Sequence, residues 1–388
     1  MMQRRHLLAS AFAALPGLSW AAVPSAGENR FVFVILRSGM DGLSAAPVPG
    51  DLDFADARGK LAAFESPALP LSGPFALHPL LPQMHAMYGS GELAVVHAVG
   101  VPYHERSHFD AQQVLESGGT RPYELATGWL GRALAAQNGG RAVALETAVP
   151  LVLRGADAVD TWAPSVLPEP SADLVARLQA MYGNDAALSQ ALARARGLRD
   201  DPAMDMAAAD GKAAPGGRSA VVALARQAAE FLQRGAQIAV LEIGGWDSHA
   251  NQAAPQGALS YNLRTLDAVL ASLRDGLAPS GAWAKTAVLV ATEFGREVAI
   301  NGTQGTDHGS GGVAFVAGGA IKGGRVVADW PGLAKKDRFE GRDLRITTDL
   351  RSVQRTLLAE HLRVPRAALD ATVLPGSAAL PRLDLLRG

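Results

Sequence analysis

The chain contains no cysteine. That removes disulfide scaffolds, cysteine-ligated zinc ribbons, iron–sulfur clusters and cysteine nucleophiles. It also lacks an excess of either charge: 36 Lys+Arg stand against 37 Asp+Glu, a formal net charge of −1, with no block of like charge. A nucleic-acid binder normally shows a basic face, so no nucleic-acid partner is expected. No apolar run approaches the ~18 residues that span a bilayer, so no transmembrane anchor is expected. The phosphate-cradling G-x-x-x-x-G-K-[ST] loop, the G-x-S-x-G elbow and a G-x-G-x-x-G turn after a strand are all missing.

What remains is globular in composition: 388 residues, 48% hydrophobic and 19% charged, enough apolar material for a sizeable core. Residues 1–21 read as an export signal. Arg4-Arg5 opens the segment, a mildly apolar stretch runs from Leu7 to Leu18, and Ser19-Trp20-Ala21 gives a small-x-small cleavage pattern. The paired arginines before His6-Leu7-Leu8 resemble a twin-arginine signal, which places the mature protein in the periplasm or outside the cell.

Five short apolar runs rich in β-branched residues follow: Phe31–Leu36, Leu93–Val99, Ile238–Ile243, Thr286–Thr292 and Gly312–Ala317. Such runs suit strands buried on both faces of a parallel sheet. Helical patterns lie between them, over Ser107–Ser117, Ser171–Tyr182, Ser219–Arg234, Tyr261–Asp275 and Ser352–Leu362. The alternation predicts an α/β fold. We read residues 29–388 as one domain, with 195–218 as a loop or lid.

The residues able to do chemistry cluster just after the predicted strands. Asp41 follows the first, His104 to Asp110 the second, Asp247 and His249 the third, Glu293 and Arg296 the fourth, and Asp307-His308 lies shortly beyond. Ligands of open α/β sheets bind at the carboxyl ends of the strands. Asp247/His249 and Asp307/His308 are carboxylate–imidazole pairs of the kind that hold a divalent ion, and Asp41 adds a further carboxylate. Ser107 opens a helix, where it serves either as an N-cap or as a nucleophile favoured by the helix terminus. His104-Glu105-Arg106-Ser107-His108 also matches the H-E-x-x-H of zinc peptidases, but Pro102 and Gly100 interrupt the helix that motif needs. His78, His85, His97 and His361 read as structural histidines.

The pieces RSGMDGLS, LHPLLPQM, RSHFDAQ, GGWDSHANQ, ATEFGR and GTDHGSGG resemble a twin-arginine-exported bacterial family of unassigned function within the alkaline phosphatase and sulfatase superfamily. The resemblance covers residues 30–388. It implies a three-layer α/β/α sandwich around a mostly parallel sheet and a site for one or two divalent ions (Zn, Mn or Ca). It assigns Asp41, Asp307 and His308 to one ion beside the nucleophile Ser107, and Asp247 with His249 to a second. The second set is short of a ligand unless His104, His108 or Glu293 completes it. Arg106 or Arg296 would clamp a substrate oxygen, His108 joins Ser107 and Arg106 as a catalytic candidate, and Glu293, Arg296 and His104 would stand behind the ligands or face substrate. With no cysteine, and no Pro-x-Arg after Ser107, conversion to a formylglycine is not expected, so phosphoric esters rank above sulfuric esters. The expected function is a metal-dependent phosphoric-ester hydrolase acting on a small-molecule or polymer ester. The alternatives are a metal-binding scaffold with an exported protein partner and, third, a zinc metallopeptidase built on His104, Glu105 and His108.

Overall fold

Alternation along the first strand sets the architecture. In β1 (Arg30–Leu36) the side chains of Val32, Val34 and Leu36 enter one apolar cluster and those of Phe31, Phe33 and Ile35 enter another. A strand presents successive side chains to opposite faces, so this strand must be covered on both sides. In the computed structural model, which describes residues 28–137, 139–164, 170–199 and 217–388, helices supply that cover. The long helices Arg218–Gln233 and Ala258–Leu277 pack on the first face, and His108–Ser117, Trp129–Ala136 and Leu350–Thr356 on the second. Trp129 is clamped edge-on by Phe31 and Phe33, at 6.0 and 5.4 Å between ring centroids.

The remaining strands in chain order are β2 (Leu69–Pro70), β3 (Ala76–Leu77), β4 (Leu93–Gly100), β5 (Ala142–Ala144), β6 (Val159–Thr161), β7 (Ile238–Ile243), β8 (Thr286–Thr292), β9 (Gly312–Ala317), β10 (Arg325–Val327) and β11 (Thr348–Asp349). β2 and β3 form a separate antiparallel pair. The others make one sheet in the order β10-β4-β9-β8-β1-β7-β5-β6, with β11 also on β4. Every pairing is parallel except those of β9, which runs against β4 and β8. The expected three-layer α/β/α sandwich is therefore present, and all five predicted strands are in its sheet. The reversal of β9 matters for the site. Chain leaving β8 at the carboxyl edge re-enters through β9 from that same edge, so the whole 293–311 connection stays there.

The five predicted helices form, with their ends moved by a few residues. The signal segment lies outside the described residues. Of the expected 195–218 loop, residues 195–199 continue the helix Ala186–Arg199, Arg218 begins the next helix, and 200–216 lie outside the described residues.

His97 in β4 is fully buried. Its Nε2 donates to the Ala46 carbonyl at 2.8 Å and its Nδ1 accepts from the Ala98 N–H at 2.9 Å. Both ring positions are thus committed to the neutral form, and burial pushes the group down to about 4 from 6.5. The unfolded chain takes up this proton first as pH falls, so the stability His97 provides is present above pH ~6.5 and lost towards pH 4, up to about 3 kcal/mol. His78 and His361, also lowered by burial, act in the same direction. Urea unfolding at pH 7.5 and pH 5 is expected to show a shallower pH dependence for H97Q than for wild type. Equal slopes would refute this role.

Candidate metal centre

Three strand ends and one return loop deliver the site. β4 leads through the 101–107 loop into the helix His108–Ser117, β7 into Asp247 and His249, and β8 into Glu293 and Arg296. The connection to β9 lies flat against two of these. Arg296 bridges His308 and Ala250 bridges Gln304 in antiparallel fashion. The approach requires glycine: a Cβ at Gly305 would stand 2.2 Å from the His249 carbonyl carbon, and one at Gly309 would stand 2.4 Å from that of Arg296. Backbone contact this close seats His308 beside Asp247 and His249.

The ring nitrogens meet at a point. His308 Nε2 lies 3.0 Å from His108 Nε2 and 3.2 Å from His249 Nε2. Asp247 Oδ1 is 2.9 Å from His249 Nε2 and 3.2 Å from His308 Nε2, and its Oδ2 is 3.6 Å from His108 Nε2. Ligand bonds of about 2.0–2.1 Å in a tetrahedral zinc site give ligand–ligand edges of about 3.3 Å, so these spacings suit a single borderline divalent ion. Donor atoms of His108, Asp247 and His308 form a group compact enough to hold one, and His249 adjoins it.

Behind the nitrogens stands a second layer of acceptors. His108 Nδ1 donates to Glu293 Oε1 at 2.8 Å, His249 Nδ1 to Asp307 Oδ1 at 2.9 Å, and His308 Nδ1 to the Arg106 carbonyl at 3.0 Å. A carboxylate or carbonyl only accepts, so each Nδ1 carries a proton and each Nε2 is turned inward, where it can offer a lone pair to an ion. The donor chemistry therefore fits a divalent ion held by imidazole and carboxylate.

The electrostatics agree. Burial opposes the Asp247 charge, yet the Arg296 guanidinium, 2.6 Å away, holds the carboxyl below its ordinary range. Glu293 is fully buried and would be raised by that burial, but its hydrogen bonds, first that from His108, keep it low. Gln112, one turn beyond His108, donates to the same Glu293 oxygen at 3.1 Å.

Some expected residues lie elsewhere. Asp41 is 3% exposed and turned into a buried network, where it pairs with Arg58 and accepts from Gln252, from Ser44 Oγ at 2.7 Å and from the Leu43 N–H at 3.1 Å. Its charge is answered inside the protein, and it is not among the grouped donors. Asp307 stands behind His249 rather than inside. Arg106 is no free clamp: with φ of 61° it directs its guanidinium to Asp343 at 2.8 Å and Glu340 at 2.6 Å. Arg296 is likewise engaged, buried against Asp247 and Thr306. His104 is exposed and lies against Phe339, 4.9 Å between centroids, in a loop. The helix begins only at His108, so the H-E-x-x-H letters do not share the helical face that a zinc-peptidase motif needs. Ser107 occupies the N-cap position without capping through its side chain, and its hydroxyl lies close enough to that of Tyr103 to affect it.

Arg58, Gln252 and Thr306 escaped the sequence reading, and no spacing pattern marks them. Metal content by plasma mass spectrometry is expected to fall below one tenth of the wild-type value in H308A and to be unchanged in H104A. The opposite pattern would move the site to His104.

Among solved structures the chain is similar to Ps i-CgsB in complex with k-i-k-neocarrahexaose, at 10% identity with 90% of this chain and 76% of that one covered and a TM-score of 0.44. It is similar to the phosphonate monoester hydrolase of Agrobacterium radiobacter, at 14% identity, 87% and 74% coverage and a TM-score of 0.43. It is also similar to the PsFucS1 sulfatase from Pseudoalteromonas sp., at 12% identity, 88% and 69% coverage and a TM-score of 0.44. Comparison with curated proteins finds no match. A family model does match, over residues 85–370, a span that holds every donor of the candidate centre and most of the sheet. The chain belongs to the family described as "Protein of unknown function (DUF1501)".

Proposed function

We propose that this protein is an exported, divalent-metal-dependent hydrolase of phosphoric esters with Ser107 as nucleophile. The observation that carries the reading is the convergence of three Nδ1-protonated imidazoles and Asp247 on one point. His108, Asp247, His249 and His308 would hold the ion. Bound there, it supplies Lewis-acid charge to a phosphoryl oxygen. The centre also faces solvent, with the side chains of Asp247 and His249 37% and 44% exposed, so an ester can reach it. Arg4-Arg5 supports export, and among the described residues no helix is long and apolar enough to cross a membrane.

Ser107 sits next to His108, at the start of a ten-residue helix whose N-terminus favours developing negative charge. Its hydroxyl lies near that of Tyr103, and the Tyr103 hydroxyl donates to Asp110 Oδ2 at 3.3 Å. In this reading Ser107 Oγ bonds to phosphorus while its proton passes to Tyr103 Oη and the Tyr103 proton to Asp110. The ester P–O bond breaks, and the alcohol leaves with a proton from solvent. Water then hydrolyses the phosphoserine, restoring the hydroxyl. A serine nucleophile asks nothing of the missing cysteine chemistry.

One observation favours a second reading, a metal-stabilised scaffold without turnover. Arg106 and Arg296 are both fully engaged, so neither clamps a substrate oxygen. A panel of phosphate mono- and diesters separates the two. Wild type is expected to turn over at least one ester, and S107A to lose about 10³-fold in kcat while keeping its metal. Undiminished activity in S107A removes the nucleophile assignment. No turnover by metal-replete wild type across the panel makes the scaffold reading the better one.

A further inference from the structure

A cavity of about 80 Å³, with a mixed polar and apolar lining, opens between the 60–66 segment, the 78–80 turn, the 252–255 loop and the first turns of the helix Ala258–Leu277. One water needs roughly 10–15 Å³ of such space, so the cavity has room for a polyatomic ion. Its walls include two cations, Lys60 and Arg264, against one acid, Glu65. Among the described residues neither cation forms an ion pair; Arg264 Nη1 donates only to the backbone carbonyls of Pro255 and Ser260, at 3.2 and 3.3 Å.

Two further kinds of donor face the same space. His78 lines the cavity, and its Nδ1 accepts from the Leu80 N–H at 3.1 Å. The neutral ring therefore carries its proton on Nε2, for which no acceptor exists among the described residues. Burial, followed by the charge of Arg264, pushes this imidazole down to about 4, so it remains a neutral donor. Leu259 and Ser260 are buried residues of the first helical turn and also line the cavity. The helix has Gly257 at its N-cap position and no side-chain cap, and its first backbone acceptor is taken only by the Tyr261 N–H. The Leu259 and Ser260 N–H groups thus have no partner among the described residues. N–H groups without a protein partner, two cations outside any ion pair and a neutral N–H on residues that line one small space make an environment suited to an acceptor-rich anion.

We propose that this cavity is a binding site for a small inorganic oxyanion, phosphate or sulfate, separate from the metal centre. Its size favours the free ion over a phosphate or sulfate carried on a larger molecule. The floor gives the site a route to the rest of the protein. Ser44 and Gln252 line the cavity, and both bond Asp41; Gln252 Oε1 also accepts from Thr306 Oγ1 at 2.8 Å, immediately before Asp307 and His308. An anion here therefore rests against side chains that hold the loops of the metal centre. The proposal stands whether or not that centre hydrolyses esters.

Phosphate also binds metals, so the test uses the D247N background, which weakens the other site. Isothermal titration of inorganic phosphate and, separately, sulfate into D247N is expected to show one bound ion per chain. Adding R264Q is expected to weaken binding at least about tenfold. K60Q, on an exposed side chain, is expected to weaken it several-fold with an unchanged melting temperature, which keeps the test decisive if R264Q disturbs the 255–260 segment. No binding of either ion by folded D247N, or binding untouched by both added substitutions, would overturn the proposal.

Discussion

Three imidazole Nε2 atoms and a carboxylate held within a few ångströms of one another suit a cation, and the carboxyl edge of this sheet is arranged around that convergence. What makes it strict is the second layer. Glu293, Asp307 and the Arg106 carbonyl accept at Nδ1, which orients each ring and raises its basicity as a ligand. Glu293 is buried for this purpose and is itself held by Gln112, Thr292 and the Ser38 N–H. The charge of a buried carboxylate is tolerated only because donors surround it.

The backbone that carries these groups is fastened from beneath by a buried polar chain. Arg58 pairs with Asp41, Gln252 joins Asp41 to Thr306, and Thr306 accepts from Arg296, which in turn grips Asp247. An ion pair such as Asp41–Arg58 contributes little net stability once desolvation is counted, but losing one partner strands the other charge. Its structural effect is registration. The 41–44 turn, the 252 loop and the 306–308 segment come from distant parts of the chain, and this network makes their relative position a single arrangement.

Much of this was legible in the sequence, for reasons that differ by residue. The strands were legible because a two-faced parallel sheet demands uninterrupted β-branched runs, and β1, β4, β7, β8 and β9 supply them. Asp247 and His249 were legible as a pair because residues two apart in extended chain face the same side. The same alternation explains the division of labour in Asp307-His308. Neighbouring residues face opposite ways, so only His308 turns to the centre while Asp307 backs His249. His104 and His108 carry the spacing of a helical metal pair, yet the turn at Pro102 delays the helix to His108, so the letters mislead. Asp41 was the least legible. Its partner Arg58 lies on a short helix with no motif around it, and nothing local announces that a carboxylate after a strand will be neutralised by a guanidinium rather than face the site.

The placement of Asp41 bears on how many ions the centre takes. Around the converging nitrogens stand three carboxylates, Asp247, Glu293 and Asp307, and one guanidinium, Arg296, in contact with Asp247. Other charges nearby are paired, Arg342 with Glu297, Arg106 with both Asp343 and Glu340, and Arg58 with Asp41, which leaves one acid more than there are cations. The excess is three negative charges, two of them beside the converging nitrogens, where one divalent ion would offset them. A second ion would find its ligands committed, Asp41 to Arg58 and Asp307 Oδ1 to His249 and Asn301. Donor supply therefore favours a single divalent ion, and the guanidinium of Arg58 supplies the positive charge that Asp41 would otherwise require from a metal.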